Sequence, residues 1–255
     1  ETNNNNNNWY EQQVAELEQL QQLNAHLPHV SAFSFWKKGE TIHKPISRDL
    51  GFANNVSVRP VYFVRPLHYT TLLDRLASRP WLTESEKLWI LFQLLHALQS
   101  LHDNHTTHGN LSTSNVALTS TNFVILTDLL FYKPITLSDN DPSQYHSYFP
   151  SSCYLAPERF SFTTTTTISP SADAFAAGCI LYELFVGEAL LDLGKLLEYS
   201  KTNRIHLGKI ESSALRACAK HMLSSNNRLS IQSYLERLHE NDMFADSFGK
   251  LYQIA

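Results

Sequence analysis

The chain has 255 residues, 43% of them hydrophobic, and a formal net charge of −4. That length supports one large or bilobal domain with a substantial core. The mild charge offers no concentrated basic face, so no nucleic-acid partner is expected. No apolar run reaches the roughly 18 residues of a membrane helix, and Gly178 to Val186, interrupted by Glu183, reads as a core helix. Cys153, Cys179 and Cys218 are sparse and odd in number, the pattern of reduced thiols rather than of a disulfide frame. There is no secretory leader and no initiator Met, so the chain reads as a fragment or an excised domain.

Taken in order, residues 1–9 carry the low-complexity run Asn3 to Asn8 and are expected to be disordered. From Tyr10 to Leu23, Val14, Leu17, Leu20 and Leu23 recur every three residues among Glu and Gln, an amphipathic helix. Val30 to Trp36 reads as a strand, Lys37 to Ser57 as a polar inserted loop, and Arg59 to Val64 as a buried strand. Thr70 to Ala77 is a short helix. Thr83-Glu84-Ser85-Glu86 is a capping box that opens a long helix through Leu101, apolar on most faces. Val116 to Leu118 and Val124 to Leu126 form a hairpin. Leu129 to Cys153 is irregular, and Thr163 to Thr167 is a polar loop. Ala172 to Phe185, Ser212 to Leu223 and Ile231 to Leu238 are the remaining helices.

The chemistry concentrates in His108-Gly109-Asn110-Leu111-Ser112-Thr113-Ser114-Asn115, Asp128-Leu129-Leu130 and Ala156-Pro157-Glu158. Order and spacing match the catalytic loop, the metal-binding Asp and the closing motif of a protein kinase. In that frame Asn110 stands where the catalytic Asp would accept the substrate proton, and Ser112 where a Ser/Thr kinase places its Lys. A neutral amide takes no proton, and a hydroxyl brings no positive charge to the phosphoryl oxygens. Asn115 and Asp128 match the two Mg²⁺-ligand positions, and oxygen donors suit that cation; the alternative is that both serve only as hydrogen-bonding groups in the loop. His108 is the core histidine of the loop. Glu158 pairs with Arg228 in a buried salt bridge, and Asp173 braces the loop backbone. His102, His105 and His108 recur every three residues, but no Cys or carboxylate cluster at ligand spacing makes them a metal site. None of the eight Gly forms a G-x-G pair, so the phosphate-cradling loop and the strand Lys lie outside this stretch. Glu16 is the candidate for the helix Glu that pairs with that Lys and so belongs to the nucleotide site. Glu18 is the weaker option, and a solvated helix face is the alternative for both. The fold class is therefore α+β, a bilobal protein-kinase-like fold. Residues 10–66 form a partial upper lobe truncated at its N-terminus, and residues 67–248 a mostly helical lower lobe.

Specific stretches add a family resemblance. Leu72 to Thr83, Glu86 to Leu95, Leu126-Thr127-Asp128, Cys153 to Phe160, Ala174 to Cys179, Asp192 to Tyr199, Arg228-Leu229-Ser230 and Tyr234-Leu235 resemble the kinase-like domain of the regulatory subunit of the class III phosphatidylinositol 3-kinase complex, the vacuolar protein-sorting regulatory kinases. The resemblance spans Tyr10 to Phe248. It implies Mg-ATP or Mg-GTP as cofactor. It also implies a scaffold for the catalytic subunit of the lipid kinase and its autophagy and sorting subunits. The location implied is cytoplasmic and peripheral on endosomal, vacuolar and autophagic membranes, with membrane contact through a myristoylated N-terminus outside this chain. The family keeps Asp and Lys where this chain has Asn110 and Ser112, so a pseudokinase is expected. The rival expectation is a weak Ser/Thr kinase, and a third is a lone kinase-like binding module.

Overall fold

The computed structural model describes residues 27, 29–31, 35–40, 42–45, 55–58, 61–129, 153–160, 168–225 and 227–254. The expected Asn3–Asn8 tract, the Tyr10–Leu23 helix with Glu16 and Glu18, residues 130–152 and the Thr163–Thr167 loop lie outside them. The chain divides into two compact units. The first holds the described residues from Ser31 to Leu67, and the second holds Leu27–Val30 and His68 onward.

In the first unit β1 (Phe35–Lys38) pairs antiparallel with β4 (Val61–Val64), Phe35 opposite Val64. Between them β2 (Ile42–Pro45) and β3 (Asn55–Val58) form a second antiparallel pair, Ile42 opposite Val58. This corrects the expected loop over Lys37–Ser57. Asn55-Val56-Ser57-Val58 alternates polar with β-branched residues and finds a ladder partner in Ile42–Pro45, which a polar average over the whole stretch conceals. The strand expected from Val30 starts only at Phe35. Val30 instead makes a single parallel bridge to Leu126 in the second unit.

The second unit begins with β5 (Thr70–Thr71) and α1 (Leu72–Ala77). Helix α2 (Glu84–Asp103) is its axis. The Glu86 amide donates to Thr83 Oγ1 at 3.3 Å and the Thr83 amide to Glu86 Oε2 at 2.8 Å, so the capping box forms as the sequence predicts. Ile90, Leu91, Leu94, Leu95, Leu98 and Leu101 are fully buried, each stabilising the fold by roughly 1.5–3 kcal/mol relative to exposure. Gln93 is buried among them without cost in unpaired groups. Its amide donates to Asn122 O at 2.9 Å and accepts from the Val124 amide at 3.1 Å. Those bonds pin the hairpin of β6 (Val116–Leu118) and β7 (Val124–Leu126), which adds to β5 in a three-stranded sheet ordered β5-β6-β7.

Helix α3 (Pro170–Val186) is the second core helix, ended by Gly187 in the left-handed conformation at φ 83°. Helix α4 (Leu193–Thr202) follows, then α5 (Ser213–Met222), α6 (Ile231–Glu240) and α7 (Asp246–Ile254). Gly178 of α3 faces α5, and a Cβ there would stand 2.9 Å from Met222 Cβ and 3.1 Å from Leu223 Cγ. Helix α7 turns the chain back on α2. The Phe248 ring lies 5.1 Å from Trp89 and 5.6 Å from Phe92, and Tyr252 stacks on His29 at 4.2 Å and meets His96 at 5.1 Å. Cys153, Cys179 and Cys218 are free and buried, and burial pushes the Cys153 thiol up to about 11 and Cys218 to about 12. No described helix is long and apolar enough to cross a membrane.

Two predictions follow from this packing. Gly178→Ala forces two backbones apart, and overpacking of that kind costs about 1–3 kcal/mol, more than the helix-propensity gain of up to ~1 kcal/mol. A chemical-denaturation midpoint that moves down is the expected result, and an unchanged midpoint contradicts the contact. Second, burial lowers the pKa of His29, His96 and His108, the charge of His29 adding to the effect at His96. Their folded values lie below the unfolded value of about 6.5. The stability they contribute is therefore full above about pH 6.5 and lost as pH falls toward the folded values. Unfolding free energy is expected to decline from pH 7 to pH 5, with a shallower slope in His96→Gln. A flat profile over that window contradicts the burial of these rings.

Candidate active site

The loop from Thr106 to Asn115 hangs from α3. Asp173, 1% exposed, lies in the first turn of that helix. Its Oδ2 accepts from the His108 amide at 2.7 Å and its Oδ1 from the Gly109 amide at 2.8 Å. His102 Nε2, at the end of α2, stands 3.0 Å from Oδ2. One carboxylate thus joins both core helices to the loop. Gly109 itself sits at φ 70°, which the missing Cβ permits. His108 is fully buried. Its Nδ1 accepts from the Asn110 amide at 3.3 Å, and Nε2 has no partner among the described residues.

Beyond Asp173 the site closes as a ring of four polar residues, Asn110, Asn115, Thr127 and Asp128. Asn115 Nδ2 donates to Asn110 O at 2.8 Å, Asn110 Nδ2 donates to Asp128 O at 3.1 Å, and the Thr127 amide donates to Asn115 O at 2.9 Å. Asp128 takes a left-handed backbone at φ 58°, a conformation costly for most side chains but tolerated by Asp. Because Asn115 spends its amide nitrogen on a carbonyl, its Oδ1 remains available as a ligand oxygen. Asn115 and Asp128 therefore offer hard oxygen donors on the same ring, which fits Mg²⁺. Among the described residues no cluster of His, Cys, Asp and Glu could hold a metal ion. His102 is on Asp173, His105 is exposed and His108 is buried, so the three histidines do not converge.

Asn110 is more than a lost base. A carboxylate at this position could not donate to Asp128 O, so the amide makes a bond that the usual Asp cannot. Ser112 precedes the short 3₁₀ turn Thr113–Asn115, and its carbonyl accepts from the Asn115 amide at 3.0 Å. Both residues line a cavity of about 220 Å³ with Ser114, Tyr154, Arg159 and Asp173.

Glu158 is the second residue of the second 3₁₀ turn, Pro157–Phe160. Arg228 binds it with both nitrogens, at 2.5 and 3.1 Å, also donates to Ser171 O at 3.1 Å, and lies 5.0 Å from the Phe175 ring. The Arg228 side chain is 1% exposed but that of Glu158 is 41% exposed, so only half of this pair is buried, unlike the expectation. Glu16 lies outside the described residues.

Two features escape sequence reasoning. Tyr154 OH donates to Glu183 and lies 2.8 Å from Thr113 Oγ1, tying the segment before Pro157 to the loop and to α3. Burial pushes the Glu183 carboxyl up, opposed by the Tyr154 bond. A lone carboxylate inside the apolar run Gly178 to Val186 is the signal from which such a partner could have been inferred. The other is Arg159, whose Nη1 donates to Gly109 O at 2.5 Å; nothing in its spacing announces that contact.

Asp173→Asn removes the charge that two loop amides share, at about 1.5–3 kcal/mol per charge-assisted bond. The expected outcome is a loss of roughly 3 kcal/mol in unfolding free energy, with faster hydrogen exchange at the His108 and Gly109 amides. Unchanged exchange at those amides contradicts the bracing role.

The comparisons agree with this geometry. A model of the protein kinase domain matches residues 1–241. The chain is 34% identical over 244 residues to Serine/threonine-protein kinase VPS15 of Arabidopsis thaliana, covering 89% of this chain and 15% of that protein. It is 37% identical over 206 residues to Putative serine/threonine-protein kinase VPS15 of Komagataella pastoris, covering 75% and 15%. It is 33% identical over 211 residues to Serine/threonine-protein kinase VPS15 of Saccharomyces cerevisiae, covering 74% and 14%. The chain thus spans about a seventh of the length of these relatives. With the loop, the Asp128 position and the Glu158 motif in kinase order, and a family model across nearly the whole chain, this chain belongs to the protein kinase domain family.

Proposed function

We propose that this chain is the kinase-like domain of a VPS15-type regulatory protein. In this reading it acts as a pseudokinase scaffold for a class III phosphatidylinositol 3-kinase, peripheral on endosomal, vacuolar or autophagic membranes. The observation that carries the loss of catalysis is the Asn110 amide turned onto Asp128 O at 3.1 Å. Proton acceptance from an acceptor hydroxyl needs a basic group at that point, and Asn110 presents a neutral amide already engaged as a donor. Ser112 supplies a hydroxyl where positive charge would stabilise the transferring phosphoryl. Both deficits fall on the transition state and so lower transfer more than binding.

Nucleotide retention is consistent with the same ring. Mg-ATP, the cofactor of the kinase family, would be held on its metal side by Asn115 Oδ1 and the Asp128 carboxylate. When bound, the metal neutralises phosphate charge. Asn110 holds Asp128 in place through its backbone, and Asp173 holds the loop that carries Asn110. The second reading, a weakly active Ser/Thr kinase, draws on this retained oxygen pair and on the names of the relatives, which are serine/threonine-protein kinases.

Two measurements on the full-length protein separate the readings. The scaffold reading predicts that the lipid kinase catalytic subunit produces more phosphatidylinositol 3-phosphate with the protein than without it, and an equal output with and without it overturns the scaffold role. Calorimetric titration with MgATP, with MgGTP as comparison, is expected to show nucleotide binding that Asp128→Asn weakens at least tenfold. Equal heats in both proteins would remove Asp128 from the nucleotide site.

A further inference from the structure

The cavity of about 220 Å³ under the catalytic loop has one cation in its wall, Arg159, and the hydrogen bonding of that residue is incomplete. A guanidinium carries five N–H donors. Here Nη1 donates to Gly109 O at 2.5 Å, and among the described residues Nε is buried without a partner and no carboxylate lies within ion-pair distance. Arg228 has an Nε in the same state, but both of its terminal nitrogens are held by the Glu158 carboxylate, a counter-charge that Arg159 has from no described residue. A half-buried guanidinium with unspent donors costs free energy unless something negative completes it.

The acidic group in the same wall does not complete it. Asp173 spends Oδ1 on the Gly109 amide and Oδ2 on the His108 amide and His102. The Tyr154 hydroxyl spends its proton on Glu183, so the remaining polar lining that can donate to an oxyanion is the hydroxyls of Ser112 and Ser114. We propose that this cavity binds an oxyanion carried by a protein side chain, a phosphorylated Ser or Thr or a carboxylate, with Arg159 as its principal ligand.

A nucleotide phosphate fits the same wall poorly. Asn115 and Asp128, the metal-side residues, are not in the cavity lining, whereas Asn110 and Ser112, the acceptor-side positions, are. Pockets that enclose a whole small ligand run to about 300–1,000 Å³, and this one has room for a side-chain head group only. A fork of donors aimed at one oxyanion is the geometry in which Arg exceeds Lys. A protein segment that lost its role as phosphate acceptor would thus still dock at the acceptor side, through charge instead of chemistry.

The test is a thermal-shift titration of the full-length protein with O-phospho-L-serine and, separately, with N-acetyl-L-glutamate. Ionic strength is held constant with NaCl so that general screening is matched, and inorganic phosphate and sulfate are run beside them. A ligand that binds only the folded state raises the transition in proportion to the logarithm of its occupancy. The expected result is a saturable rise with phosphoserine or acetyl-glutamate whose midpoint moves at least tenfold in Arg159→Gln. The anion with the lower midpoint identifies the source. If Arg159→Gln does not fold, Arg159→Lys, which keeps the charge and loses the fork, is expected to show a weaker midpoint of the same sign. Titrations identical in wild type and variant overturn the proposal, as does no saturable shift with either ligand. Responses equal for all four anions identify an adventitious ion only, and likewise overturn it. None of these outcomes depends on lipid kinase output, so failure here leaves the scaffold reading to its own experiment.

Discussion

The carboxylate of Asp173 is the constraint on which the site depends. It is 1% exposed, and it accepts from two consecutive loop amides and faces the imidazole at the end of α2. A buried charge is tolerable only with such partners, so the loop and the two core helices are mutually required. The leucine-rich interior of α2 and the apolar interior of α3 provide the rigid walls; Asp173 converts their packing into a fixed loop conformation. This is a structural task. The bonds Asp173 makes are to loop amides and an imidazole, not to a reacting group, so a well-formed catalytic loop by itself says little about turnover.

The chemistry turns on one atom pair. In place of a carboxylate oxygen, Asn110 presents a nitrogen, and that nitrogen donates to Asp128 O. The substitution removes a proton acceptor and simultaneously adds a bond that stiffens the polar ring with Asn115 and Thr127. Arg159 belongs to the same pattern. It brings a guanidinium to the carbonyl of Gly109 in the wall of the cavity beside the loop.

Much of this was legible in the residues. The capping box at Thr83, the hairpin around Asn122 and the order of Asn110, Asn115 and Asp128 are local patterns, and local patterns survive translation into structure. Helix α4 was missed because its buried set is only Leu193, Leu196 and Tyr199 in an otherwise polar stretch. Helix α7 was missed because its aromatic face has meaning only against Trp89, Phe92 and His96, about 150 residues away in the sequence. The β2–β3 pair was hidden by averaging over a polar segment. Within the site, spacing located the residues and left their bonds unread. Asn110 and Asp128 meet across eighteen positions, Glu158 and Arg228 across seventy, and Arg159 reaches back to Gly109 with no sequence signal at all.

The most direct test of the account is a γ-phosphate transfer assay on the full-length protein, comparing wild type, Asp128→Asn and the double variant Asn110→Asp with Ser112→Lys. A loop held in place but lacking its base and its cation predicts wild-type transfer no higher than Asp128→Asn, and a rise of at least tenfold in the double variant. Wild-type transfer well above Asp128→Asn and undiminished beside the double variant would contradict it, and would make this domain a kinase with a different proton acceptor.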